Sequence, residues 1–143
     1  GLQCKLKSLF KIMLLVLVSL SLYAENKGEK MNINIISNGQ TTVFKLNDSD
    51  AAKELYAQLP LSIEVENFSN NEKIFYPPNK LSTSNTPLAD AKNGTLAYYA
   101  PWGNVVMFYK DFGSANGLYE LGSVVSGKEH IQNMSEIIEI KPD

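Results

Sequence analysis

Residues 94–131, GTLAYYAPWGNVVMFYKDFGSANGLYELGSVVSGKEHI, contain the pattern that decides the fold. Residues 95–99 and 105–109 are apolar runs, and the Pro-Trp-Gly sequence between them is able to reverse the chain. Two such runs joined by a turn of this composition are typical of a β-hairpin. After a loop with two glycines, residues 119–125 form another run of strand character. We therefore predict a hairpin followed by a further strand.

The preceding part of the chain has the same pattern of short strands together with one helix. Apolar and polar residues alternate from residue 32, and Asn38-Gly39 supplies a tight turn before a second alternating run. Residues 47–50 carry side chains that cap helices, and apolar residues then recur at helical spacing as far as Pro60. These features predict a first hairpin and one short amphipathic helix.

The remaining apolar runs complete a mainly β pattern. Three further strands are predicted at residues 62–66, 74–76 and 135–140. A helical turn is predicted at residues 127–132. Residues 80–92 are polar and irregular in pattern, which predicts a long loop. An open sheet of this many strands would expose its edges. We therefore predict that residues 32–141 form a closed antiparallel β-barrel of about eight strands with one or two short helices.

The N-terminal segment differs in character from the rest of the chain. Residues 1–24 place three lysines ahead of an unbroken apolar run, which is the pattern of a secretory signal peptide cleaved near Ala24. The run is shorter than the roughly 20 residues that span a bilayer as a helix, so membrane contact is expected only through this segment if it stays uncleaved. Residues 25–31 predict a disordered tether. The expected location is periplasmic or extracellular.

Composition excludes several classes of function. The net charge is −2, and no basic cluster follows the signal segment, so nucleic-acid binding is not expected. Cys4 is the single cysteine and lies within residues 1–24. A chain without that segment has no thiol for a disulfide or a thiolate metal site. We predict no metal and no cofactor.

Two motifs resemble those of a known family. Residues 121–127, LGSVVSG, resemble the F-G-x-V-x-x-G segment of cyclophilins, with Leu121 in place of the aromatic residue. Residues 94–103, GTLAYYAPWG, are similar to the G-D-[IL]-x-Y-[WY]-x-P-x-G stretch of a bacterial cyclophilin-like family of small barrels with no assigned function. The order of predicted elements agrees over residues 32–140. The resemblance implies a cyclophilin-like barrel.

The resemblance does not imply that this chain catalyses the cyclophilin reaction. Cyclophilins isomerise X-Pro bonds by aiming an arginine at the prolyl amide, which weakens the resonance behind a barrier of about 20 kcal/mol. This chain has no arginine, and the equivalent positions are Glu-Asn-Phe at residues 66–68. The family's pocket phenylalanine, tryptophan and histidine fall near Met107, Gly113 and Leu118. Lysine lacks the planar fork of donors and is no substitute.

Aromatic residues in and between the last two hairpins predict a binding groove. An aromatic surface with little charge can bind an extended peptide or a small apolar ligand. The candidate ligand-binding residues are Tyr99, Trp102, Met107, Phe112 and Tyr119. The alternative is that aromatic residues inside strands, Tyr98 and Phe108, only fill the barrel interior.

We therefore predict an exported cyclophilin-like domain that is not catalytic and binds a peptide or small apolar ligand. No catalytic residue is assigned. A divergent peptidyl-prolyl cis-trans isomerase is the second hypothesis, and an interaction module that uses the loop at residues 80–92 is the third.

Overall fold

The computed structural model describes residues 31–143, so the predicted signal peptide and all but the last residue of the tether lie outside the described residues. Met31, at the end of that tether, accepts a hydrogen bond from the Leu46 N–H through its carbonyl at 2.9 Å. The nine strands are β1 (Asn32–Ser37), β2 (Gln40–Leu46), β3 (Leu61–Glu64), β4 (Glu66–Phe68), β5 (Glu72–Phe75), β6 (Thr95–Tyr99), β7 (Asn104–Phe108), β8 (Leu118–Ser126) and β9 (Ile137–Pro142). The helices are α1 (Asp50–Ala57) and a 3-10 helix (Lys128–Asn133).

All strand pairs are antiparallel, and the sheet order is β3-β9-β1-β2-β8-β6-β7-β5-β4. The two outer strands of this order, β3 and β4, are consecutive in the chain and are separated only by Val65. The sheet therefore curls into a nearly closed barrel, which confirms the predicted fold class. Nine strands are found instead of about eight because the single strand predicted at residues 62–66 bends at Val65 and divides its pairing between β9 and β5.

The bend is held from both sides. Val65 is buried, and its N–H donates to the carbonyl of Glu136 at 2.8 Å.

The predicted helix is confirmed as α1, which begins where the Ser49 hydroxyl accepts from the Ala52 N–H at 3.2 Å. Ala51, Ala52 and Leu55 of this helix belong to the main core inside the barrel. Within residues 31–143, no helix has the length and apolar character needed to cross a membrane.

The predicted irregular loop at residues 80–92 lies against the barrel. The Tyr98 hydroxyl accepts from the Leu81 N–H at 3.1 Å, and the Ala89 N–H donates to the Leu118 carbonyl at 2.9 Å. Ala89 and Ala91 are buried. The loop therefore covers part of the outer face of the sheet.

Gly122 allows β2 and β8 to approach closely. A Cβ atom at this position would lie 2.1 Å from the carbonyl oxygen of Lys45, which is a backbone atom that cannot move aside alone. Gly39 differs, because nothing lies within 4 Å of an added Cβ and the glycine serves the hairpin turn through its φ of +75°.

We expect Gly122→Ala to lower the free energy of unfolding by about 3 kcal/mol, because the added methyl forces the two strands apart. Gly39→Ala is the control, with a loss of about 1 kcal/mol from left-handed backbone strain alone. Urea unfolding of both variants measures the difference. Equal losses would contradict the close approach of β2 and β8.

Candidate functional site

The outer face of the sheet carries a second apolar cluster beside the barrel core. In β7, Val105 and Met107 belong to the main core, whereas Val106 and Phe108 belong to the second cluster. Because side chains alternate along a strand, this cluster lies outside the barrel. Its buried members are Ile74, Ala89, Ala91, Ala97, Val106, Phe108 and Leu118. Because the sheet is apolar on both faces here, its outer face must also be shielded from water.

The loop covers one part of this face, and an open cavity of about 300 Å³ occupies another. Ile74 and Val106, paired across β5 and β7, are buried at its floor. On one side Phe68, Glu72 and Phe108 stand in register across β4, β5 and β7. The remaining lining residues come from the other side and from two loops: Tyr99, Trp102, Asn104, Phe112, Ala115 and Leu118.

Trp102 is held in place by the turn between β6 and β7. Gly103 has a φ of +71°, and its N–H donates to the Tyr99 carbonyl at 2.9 Å. The indole then meets Phe68 at 5.2 Å between ring centroids and Tyr99 at 5.5 Å, both at 79°. Edge-to-face pairs at this distance are favourable by about 0.5–1.5 kcal/mol.

Phe112 is a second loop aromatic residue that lines the cavity. Its ring lies 5.3 Å from that of Phe108, with 34° between the planes. Trp102 is 51% exposed and Phe112 is 47% exposed. The two loop aromatic residues therefore present accessible ring surface at the mouth of the cavity.

Two polar side chains interrupt this apolar lining. Asn104 is only 1% exposed, and its Oδ1 has no hydrogen-bond partner within residues 31–143. Glu72 is half-buried, and burial raises the pKa of its carboxyl group. The ion pairs formed in the described part of the chain join Lys92 to Asp90 and His130 to Glu129, so Glu72 takes part in neither. The Glu72 carboxyl group is therefore available to a ligand, whereas the Asn104 oxygen is enclosed by the protein.

The predicted site residues divide into two groups. Tyr99, Trp102 and Phe112 line the cavity. Met107 does not, because it is fully buried in the barrel interior. Tyr119 does not line it either, since it pairs across strands with the inward-facing Tyr98.

Other lining residues were not among the predicted ligand-binding set. Phe108 is buried, as expected from the alternative that it fills the barrel interior, but it lies on the outer face of the sheet. Phe68, Glu72 and Asn104 were also missed, since their positions depend on which strands pair and in which register. Alternation within residues 104–108 is the one local signal that places Asn104 and Phe108 on the same face. In residues 31–143, no group of His, Cys, Asp or Glu side chains is arranged to hold a metal ion.

The small antiparallel barrel agrees with comparisons to known proteins. Residues 35–141 match a family model described as the cyclophilin-like family, so the chain belongs to that family. A hypothetical protein from Archaeoglobus fulgidus has a similar structure, with a TM-score of 0.61, 13% identity and coverage of 80% of this chain and 95% of that one. No curated protein matches the chain.

A second similar structure is a cyclophilin-type peptidyl-prolyl cis-trans isomerase from Cryptosporidium parvum. The TM-score is 0.55 and the identity is 15%, with coverage of 80% of this chain and 98% of that one. At such identities the likeness extends to the fold alone.

We expect Asn104→Leu to raise the free energy of unfolding by about 1 kcal/mol, because a buried amide oxygen without a partner is costly and leucine has the same branched arrangement of side-chain heavy atoms. Urea unfolding without ligand measures the change. A loss of stability would mean that the amide supports the β6–β7 hairpin instead.

The raised pKa of Glu72 gives stability a defined pH dependence. Its carboxyl group binds a proton more tightly in the folded protein than in the unfolded chain. The resulting stabilisation is complete below the unfolded pKa and is lost as the pH rises through the folded pKa. We therefore expect Glu72→Gln to be more stable than the wild type at neutral pH and equal to it below about pH 4.

Urea unfolding across this pH range measures the difference between Glu72→Gln and the wild type. Glu64→Gln is the control, because Glu64 is exposed and lies outside the cavity. A difference for Glu72→Gln that stays constant with pH would contradict the assignment.

Proposed function

We propose that this domain is a non-catalytic binding module that holds a small apolar ligand, or apolar side chains of a peptide, in the cavity on its outer face. We also propose that residues 1–24 direct its export. The observation that carries the binding proposal is the cavity lined by five aromatic side chains, with Trp102 and Phe112 exposed at its mouth. Sites for small ligands are concave, mostly apolar and about 300–1,000 Å³ in volume, with a few polar groups that orient the ligand.

The charges near the cavity support a role without isomerase chemistry. Neither arginine nor lysine is among the residues that line the cavity. Lys73 lies on β5 beside Glu72, but it is buried and pairs across strands with the inward-facing Met107. Its Nζ donates to Oδ1 of Asn67. The cavity therefore has no forked cationic donor to weaken the resonance of a prolyl amide.

The sole tryptophan makes binding directly measurable, since Trp102 lines the cavity. We expect the uncharged probe N-phenyl-1-naphthylamine to quench Trp102 fluorescence and to become brighter itself. Phe112→Ala should weaken this binding about tenfold by removing one aromatic wall. Tyr76→Ala is the matched control, because Tyr76 is 46% exposed, close to the 47% of Phe112, and lies outside the cavity. Its affinity should equal that of the wild type.

Equal weakening by Phe112→Ala and Tyr76→Ala, or no binding at all, would contradict the proposal. The isomerase hypothesis has one observation in its favour, the similar fold of the isomerase from Cryptosporidium parvum. A proline tetrapeptide assay distinguishes the isomerase hypothesis from the binding proposal. Acceleration that disappears in Phe112→Ala would establish isomerase activity at this cavity, and no acceleration at high protein concentration would exclude it.

A further inference from the structure

We propose that the cavity selects a small organic cation, an alkylated ammonium compound, rather than a neutral apolar molecule. This inference rests on the proposed binding function and assigns the chemical class of the ligand.

The charge of the cavity is the first argument. Glu72 is the charged residue among those lining it, and Phe68 and Phe108 flank it directly across β4 and β7. No cation within residues 31–143 forms an ion pair with this carboxylate. A half-buried carboxylate between two phenylalanines loses hydration without gaining a partner, as its raised pKa reflects. A bound cation would compensate for this loss, whereas an anion would be repelled.

The aromatic lining is the second argument. Phe68, Tyr99, Trp102, Phe108 and Phe112 surround the same space, and the three measured ring pairs are 5.2, 5.3 and 5.5 Å apart. A cation within about 6 Å of an aromatic ring centroid is attracted by the ring, most strongly by tryptophan. Cages of this composition are suited to ammonium groups that carry alkyl substituents.

The scarcity of hydrogen-bond acceptors distinguishes alkylated ammonium from a primary amine. A primary ammonium has three N–H donors to satisfy. The side-chain acceptors among the lining residues are the Glu72 carboxylate, the enclosed Asn104 oxygen and the Tyr99 hydroxyl. Alkyl groups remove donors and add apolar surface that the rings can contact.

Cavity size favours a small molecule over a chain. The volume of about 300 Å³ is at the lower end of the range for small-ligand sites. An extended peptide would need a longer groove with backbone hydrogen-bonding groups along it.

A matched pair of probes tests the inference. Choline and 3,3-dimethylbutan-1-ol share shape and hydroxyl group and differ in charge. In calorimetric titration of the full chain, we expect choline to bind at least about tenfold more tightly than the alcohol. Glu72→Gln should remove most of this preference. Glu64→Gln, which makes the same change at an exposed position outside the cavity, should leave it intact.

Each of the other outcomes contradicts one specific part of the proposal. Equal affinity for choline and the alcohol, or binding of N-phenyl-1-naphthylamine without choline, overturns the cation inference and leaves the apolar binding function standing. Loss of preference in both Glu64→Gln and Glu72→Gln overturns the role of Glu72. Tighter binding of N-acetyl-trimethyllysine methylamide than of choline overturns the small-molecule assignment in favour of a peptide side chain. Failure of all four probes overturns the binding function itself.

Discussion

Adjacent side chains of a β-strand point to opposite faces, and in β7 this alternation passes through residues that are almost all apolar. Val105 and Met107 therefore fill the barrel, while Val106 and Phe108 form an apolar surface outside it. A strand that is apolar on both faces cannot face water on either. The outer face must be covered, and the way it is covered produces the cavity.

The loop at residues 80–92 provides part of that cover. The Glu120 N–H donates to the Pro87 carbonyl, and the Ser82 N–H donates to Oε2 of Glu54, both at 2.8 Å. Ala89 and Ala91 are small enough to lie flat against the outer cluster that includes Ala97 of β6. Its packing role means that deleting this loop would expose core surface. A partner that recognises the loop would have to bind its exposed polar side rather than displace it.

The fold could be predicted from local patterns, but only part of the site could. Apolar runs, the Asn-Gly turn and the capping residues predicted the first hairpin and α1 correctly. Trp102 and Phe112 could be assigned to the groove because loop residues between hairpins are accessible. The placement of Met107 depended on aligning a strand with no polar residue after Asn104 to mark its faces. An error of one residue in such an alignment moves a side chain to the other face.

Glu72 and Phe68 raise a different difficulty, because the local β4–β5 hairpin pairs them with each other but only a non-local pairing places them beside Phe108. On its other side β5 pairs with β7, some 30 residues later in sequence, rather than with the next strand β6, and no local pattern indicates this pairing. β4 reaches the side of β5 through the tight turn at residues 69–71, and the pairing of β5 with β7 brings this hairpin to the cavity. This wall of the cavity therefore depends on the long-range pairing of β5 with β7.

The polar residues of the cavity are consistent with the binding that we propose. Apolar side chains at Glu72 and Asn104 would fit the surrounding cluster, and the buried amide oxygen of Asn104 forms no hydrogen bond within the described chain. The nearby cation, Lys73, lies on the opposite face of β5, so the cavity is acidic instead of basic. In cyclophilins, which share this fold, an arginine is directed at the substrate. The cation that we propose for this cavity would instead be bound by a carboxylate, so different charged side chains can alter specificity while the barrel stays the same.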